Sequence, residues 1–211
     1  MRNCWISIWL CTLTFSVVGQ HGESTTRDHR IGVNIGAASQ GYSPFDNPDY
    51  QYENRFVKVQ LEKTIYQRKA QLLAILVEPS LYWSEHRLLN PFFIQPNRGP
   101  DFLDQRAAYT ANKRFLEYAL NIGLRWQFMK IGQLHPYLLG SVGPMFGTEH
   151  TERLRKGLAF SDILGLGILW QGEGIAVDLR LAIRHCSNAQ LYFPNNGHNS
   201  IGLETGFSLA F

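Results

Sequence analysis

His185 and Ser187 are the residues whose types and spacing could do chemistry. They lie in Arg184-His185-Cys186-Ser187-Asn188, near the end of a stretch that alternates apolar and polar residues. A serine hydroxyl is a weak nucleophile until a base takes its proton, and histidine is the usual base. On a strand, residues two apart share a face and lie ~7 Å apart at their backbones, so their side chains can converge. The face they share here also carries Val177, Leu179, Leu181 and Ile183. A base and a hydroxyl on an apolar surface fit an enzyme whose substrate is a lipid lying against it.

A third group is needed to hold the imidazole in the productive tautomer. By the same parity count, Asn199 faces outward at the start of the next strand. Glu204 is the nearby acid, but its parity points it to the opposite face and it lies further along, so Asn199 is preferred. Asn188 follows the nucleophile and can donate through its amide. With backbone N–H groups of Ala189 and Gln190 in the following turn, it could stabilise an oxyanion. Taken alone, His-x-Ser reads as a polar cluster at a strand end. What raises it is its outward address beside the aromatic Leu191-Tyr192-Phe193. The remaining histidines (His21, His29, His86, His135, His150 and His198) have no metal-ligand spacing, and no Gly-rich loop follows a strand. Neither a metal nor another cofactor is therefore expected.

The elements that must position these residues are strands with a period of two. In the first, Ile31, Val33 and Ile35 oppose Gly32, Asn34 and Gly36. In the second, Val57, Val59, Leu61 and Ile65 oppose Lys58, Gln60, Glu62 and Thr64. A third runs from Gln71 to Trp83. The clearest sets Leu116, Tyr118, Leu120, Ile122, Leu124, Trp126 and Phe128 against Glu117, Ala119, Asn121, Gly123, Arg125 and Gln127. Leu134 to Phe146 and Phe160 to Trp170 are further strands. The stretch bearing His185 and Ser187 is the seventh, with Asp178, Arg180, Ala182, Arg184 and Cys186 on its other face. The last sets Ile201, Leu203, Thr205, Phe207, Leu209 and Phe211 against Ser200, Gly202, Glu204, Gly206, Ser208 and Ala210.

About eight strands without intervening helical stretches exclude βαβ units. No later run approaches ~20 consecutive apolar residues, so a closed β-barrel is the remaining way to span a bilayer. The polar faces mix Glu117, Arg125, Asp178, Arg180, Arg184 and Glu204 with small residues, which suits the filled lumen of a narrow eight-stranded barrel. Trp83, Trp126, Phe128, Trp170, Tyr192 and Phe193 fall near strand ends, as an aromatic girdle would. A soluble lipocalin-like barrel would need the charges outside and the aromatics inside. The expected class is all-β, an eight-stranded antiparallel transmembrane β-barrel. Leu88 to Lys113 reads as a long loop with a short helix around Phe102 to Ala108. Thr148 to Lys156 reads as a charged, solvated loop, with binding of a phosphorylated sugar as the alternative.

The 211 residues, 45% hydrophobic and 18% charged with net charge +3, suit one domain. The mild basicity is too weak to argue for nucleic acid. Arg2, the apolar run Trp5 to Val18 and the small residues ending at Gly19 read as a secretory signal over 1–19, with the barrel over 20–211. The positions before Cys11 fit a lipoprotein site poorly. Cys4 and Cys11 lie in the signal, so the mature chain keeps only Cys186 and no intramolecular disulfide is possible. Cys186 faces the lumen by parity, as a small filler.

The segment Ala182-Ile183-Arg184-His185-Cys186-Ser187-Asn188-Ala189, then Pro194-Asn195-Asn196-Gly197 and an alternating strand to a terminal Phe, resembles the outer-membrane lipid A 3-O-deacylases, the PagL-type acyloxyacyl hydrolases. His135-Pro136-Tyr137-Leu138-Leu139-Gly140-Ser141-Val142-Gly143-Pro144 and Phe160-Ser161-Asp162-Ile163-Leu164-Gly165-Leu166-Gly167 resemble it too. The resemblance implies an eight-stranded barrel with its site on the outer wall. It implies Ser187 as nucleophile, His185 as base, and hydrolysis of the ester-linked acyl chain at the 3-position of lipid A without a cofactor. The chain departs from the pattern twice. The well-known members have Glu where Asn199 stands, and Gly where Gln190 stands. Asn can orient a histidine but cannot offset its charge, so activity reduced by Asn199 is part of the expectation.

The partners expected are lipid A or lipopolysaccharide of the cell outer membrane and, as an open alternative, a second copy of the chain in a homodimer. Nucleic acid is not expected. The rival readings are a non-catalytic structural or lipid-binding barrel and a small solute channel.

Overall fold

The computed structural model describes residues 28–211. The proposed signal over 1–19, with Cys4 and Cys11, lies outside the described residues. Eight antiparallel strands form one closed ring in which each pairs with its sequence neighbours and the last pairs with the first. They are β1 (His29–Ser39), β2 (Tyr50–Arg68), β3 (Gln71–Leu88), β4 (Lys113–Gln127), β5 (Leu134–Gly147), β6 (Gly157–Gln171), β7 (Ile175–Ser187) and β8 (His198–Ala210). Helix α1 (Phe102–Thr110) and two short 3-10 turns, Pro91–Phe93 and Pro96–Arg98, sit in the β3–β4 connection.

The alternation in the sequence is the cause of the ring's two faces. Ile31, Val33, Leu61, Leu120, Ile122, Leu164, Leu179 and Leu203 are exposed on the outer wall, while Lys58, Glu62, Glu78, Glu117, Arg125, Arg180, Arg184 and Glu204 are buried in the lumen. An apolar band outside and charge within is the inverse of a soluble barrel and is the arrangement lipid demands. Closure removes every strand edge, so backbone N–H and C=O groups are satisfied between strands.

The lumen is filled by ion pairs that cross it. Arg180 on β7 reaches Glu204 on β8 at 2.7 Å, Glu78 on β3 at 3.2 Å and Asp178 at 3.3 Å. Lys58 on β2 meets the other oxygen of Glu204 at 2.6 Å. Arg184 binds Glu117 at 2.7 Å and lies over the Tyr82 ring at 3.7 Å, and Arg125 pairs with Glu62. Gly167 lets Tyr137 lie flat against β6, because a Cβ there would meet the Tyr137 ring at 2.3 Å. Tyr137 then donates to Asp178 at 2.6 Å and accepts from Arg180 at 3.1 Å. Cys186 is buried in an apolar cluster with Phe56, Tyr82, Ala119, Met145 and Ala159.

The connections sort by length. Those after β2, β4 and β6 are short, and those after β1, β3, β5 and β7 are longer. Short turns at one end and long loops at the other are the pattern of outer-membrane barrels, with the long loops outside the cell. Trp126 and Trp170 are exposed at the short-turn end, and Trp83 and Phe193 at the long-loop end. Together they mark the two edges of the apolar band. β7 ends at the long-loop rim, and Ser187 is its last residue.

Candidate active site on the outer wall

The register of the last two strands pairs His185 with Asn199. Both face outward, and His185 Nδ1 lies 2.7 Å from Asn199 Oδ1. A carbonyl oxygen can only accept, so this contact selects the tautomer with the proton on Nδ1 and leaves Nε2 as a base. Glu204 faces the lumen, held by Lys58, Arg180 and the Asn34 amide, so it is not available to His185. Ser187 is two residues beyond His185 on the same face, opposite Phe160 of β6. No hydrogen bond joins the Ser187 side chain to His185 or to any other described residue.

The turn after Ser187 is built around Asn188, and the structure corrects the role expected of that side chain. Its amide nitrogen donates to the carbonyls of Tyr192 at 2.7 Å and Pro194 at 3.2 Å, and its backbone N–H donates to Asn195 Oδ1 at 2.7 Å. Its carbonyl accepts from Leu191 N–H at 3.0 Å. Asn188 is fully buried. All its donors are committed to folding the loop, and none remains for a substrate oxygen. The two residues held between these ties, Ala189 and Gln190, have φ of +51° and +63° and are exposed. Their N–H groups donate to no described residue. They are the unpaired donors beside Ser187.

Gly197 closes the loop against His185. Its φ is +69°, and a Cβ would stand 2.6 Å from the Cys186 carbonyl oxygen and 3.2 Å from Cε1 of His185. A residue with no Cβ is required both by the left-handed backbone and by the imidazole beside it.

The Thr148 to Lys156 loop is not a freely solvated one: Thr151, Glu152 and Leu154 are buried. Arg153 Nε donates to the Gly197 carbonyl at 2.8 Å, and the Arg153 carbonyl accepts from Asn196 and Gly197 N–H at 2.7 and 3.2 Å. Arg155 N–H donates to Pro194 O at 3.3 Å, and its guanidinium lies 5.5 Å from the centre of the Tyr192 ring. The Tyr192 hydroxyl donates to Leu158 O. Glu152 anchors the loop 3.3 Å from His86 Nε2 on β3. Burial and the charges of Lys156 and Arg155 lower the proton affinity of His150, whose Nδ1 accepts from Lys156 N–H at 3.3 Å. One loop thus braces another, and the braced loop carries the unpaired donors.

Two residues at the site escaped the reading of the sequence. Arg153 was indistinguishable from other loop charges, because its acceptors lie more than forty positions away. Asp162 lies directly opposite His185 on β6. It left a signal: it is the one charged residue at the apolar parity between Leu158 and Trp170.

Among the described residues no group of three or more His, Cys, Asp or Glu is arranged to hold a metal ion.

No curated protein matches the chain. Among solved structures it is similar to the outer membrane enzyme PagL, with a TM-score of 0.51 and 17% identity over 84% of this chain and 97% of that one. It is also similar to Neisserial surface protein A, with a TM-score of 0.45 and 10% identity over 87% and 97%. For the Yersinia pestis outer membrane protein Ail the TM-score is 0.38, with 12% identity over 85% and 99%. At these identities the likeness concerns the fold. The family model for lipid A 3-O-deacylase (PagL) matches residues 32–208, and the chain belongs to that family, in the outer membrane.

Proposed function

We propose that the protein hydrolyses the acyl ester at the 3-position of lipid A by a Ser/His mechanism on its outer wall. The observation that carries this reading is the row His185–Asn199 beside Ser187 on the lipid-facing side, next to two unpaired N–H groups. Asn199 fixes His185 with Nε2 free. A turn of the Ser187 side chain brings its hydroxyl to Nε2 as the ester seats; such contacts are often open before substrate binds.

Ser187 Oγ then attacks the ester carbonyl carbon while its proton passes to His185. The carbonyl oxygen takes the negative charge and receives hydrogen bonds from Ala189 and Gln190 N–H. When the C–O bond to the sugar breaks, His185 returns its proton to the departing sugar hydroxyl. Water, losing a proton to the same imidazole, attacks the acyl-serine ester and releases the fatty acid. Asn188 serves by folding the turn. The fatty acyl chain never needs a protein pocket, since it stays among the other chains of the leaflet.

One observation favours a second reading, a lipid-binding barrel without catalysis: the partner of His185 is neutral. The two readings separate in the mass spectrum of lipid A from cells with and without the protein. The expected result is loss of one ester-linked acyl group, abolished by Ser187→Ala with the heat-modifiable gel shift of a folded barrel retained. Unchanged lipid A, or equal loss with Ser187→Ala, overturns the esterase.

A further inference from the structure

We propose that Asp162 supplies the negative charge that offsets the His185 imidazolium, a role that neutral Asn199 cannot fill; the inference rests on the esterase reading above. The strand registers place three side chains in one row across the outer wall. Asp162 on β6 pairs with His185 on β7, and His185 pairs with Asn199 on β8. Directly opposed residues of antiparallel strands have Cβ atoms ~4.5–5.5 Å apart. The imidazole is thus flanked on one side by an amide and on the other by a carboxylate.

Asp162 has no structural use that competes with this one. Its side chain forms no hydrogen bond or ion pair with any described residue, unlike the lumen carboxylates Glu62, Glu78, Glu117, Asp178 and Glu204, each of which meets a cation. It is exposed and interrupts a stripe of Leu158, Phe160, Leu164, Leu166, Ile168 and Trp170 that otherwise fits hydrocarbon. A carboxylate there opposes membrane insertion. Its position costs stability unless a charge is needed at that height.

The chemistry supplies the need. When the Ser187 proton moves to Nε2, the ring gains a full positive charge in surroundings poor in water. Asn199 holds the ring by accepting from Nδ1, but an amide offers only a dipole. In a Ser-His-Asp triad one carboxylate both orients the ring and balances it. Here the two tasks are divided between strands: orientation comes from β8 and charge from β6. Asp162 touches no reacting atom, and acts through His185.

The test compares the full-length barrel and its variants in outer-membrane vesicles, reading kcat and KM for release of the lipid A acyl chain. An opposite charge within 4–6 Å changes an ionisation by about 1–3 pK units, so Asp162→Asn is expected to lower kcat ~10-fold or more with little change in KM. Asn199→Glu restores the charge from the other flank. It is expected to rescue Asp162→Asn, and to raise the parent's activity only slightly. A structural role for Asp162 would not be rescued from β8. Parent-like kcat in folded Asp162→Asn, with Ser187→Ala inactive, overturns this inference and leaves the esterase standing. A loss of activity that Asn199→Glu does not repair overturns it as well. Activity surviving in Ser187→Ala, or an inactive parent, overturns the esterase and the inference together.

Discussion

The lumen and the outer rim of β6–β8 both place polar side chains on strands, and they use them in opposite ways. In the lumen Glu62, Glu78, Glu117, Asp178 and Glu204 each meet a cation, and Glu204 serves Lys58, Arg180 and Asn34 at once. On the rim, the His185 ring has one partner, the side chains of Ser187 and Asp162 have no hydrogen-bonded partner, and two N–H groups are left open. Paired charge gives rigidity and no reactivity. Unsaturated polar groups carry a stability cost that only a reaction or a ligand recovers. The difference distinguishes scaffold from site more sharply than residue type does, since both regions contain the same kinds of side chain.

Three substitutions sharpen this contrast. The largest effect on stability is expected from Glu204→Ala, which leaves Lys58 and Arg180 short of their shared carboxylate. Breaking a buried ion pair from one side costs roughly 3–5 kcal/mol. Denaturant unfolding of the reconstituted barrel should move by that amount, while the molecules that remain folded keep the parent kcat. Gly197→Ala is expected to do the reverse. Its new Cβ presses on the Cys186 carbonyl and on the His185 ring, and a displacement of ~1 Å at a reacting group can cost about 100-fold in rate. Its kcat should fall far more than its unfolding midpoint. The smallest effect is expected from Gln190→Gly. An L-residue held in the left-handed region is strained by about 1–2 kcal/mol, and Gln190 sits there at φ +63°. Glycine removes that strain without removing the N–H, so activity should stay at or above the parent's, as acyl-release assays would register. A sharp loss would mean that the Gln190 side chain itself takes part.

Most of the fold was legible because a β-barrel writes itself in parity. Leu116 to Phe128 alternates without error, and the strand it predicts is β4. The sign of the pattern, with Arg180 and Glu204 on one face and Leu179 and Leu203 on the other, separates a membrane barrel from a soluble one. Parity also placed His185, Ser187 and Asn199 on the outer wall and turned Glu204 inward. What parity cannot give is register. That Asp162 stands opposite His185 depends on the β6–β7 turn length and not on either strand alone. Loop closure was equally hidden. Asn188 looked like a free donor because the carbonyls that consume its amide, at Tyr192 and Pro194, come from a turn whose shape Arg153 and Arg155 help to fix. Gln190 stands where the family pattern has glycine, and the structure holds it in the left-handed backbone region that favours glycine.

Ser187 is the last residue of β7, at the rim where the long loops begin. The band of leucines and valines beneath it fixes how deep the barrel sits, and so fixes the altitude of Ser187 above the bilayer midplane. On the proposed esterase reading, selection among the several esters of one glycolipid can then operate vertically: a bond is cut when its own depth brings it level with the serine. On that reading, shortening or lengthening the apolar belt by two residues in each strand would retune which ester is presented, with no change to Ser187, His185 or Asn199.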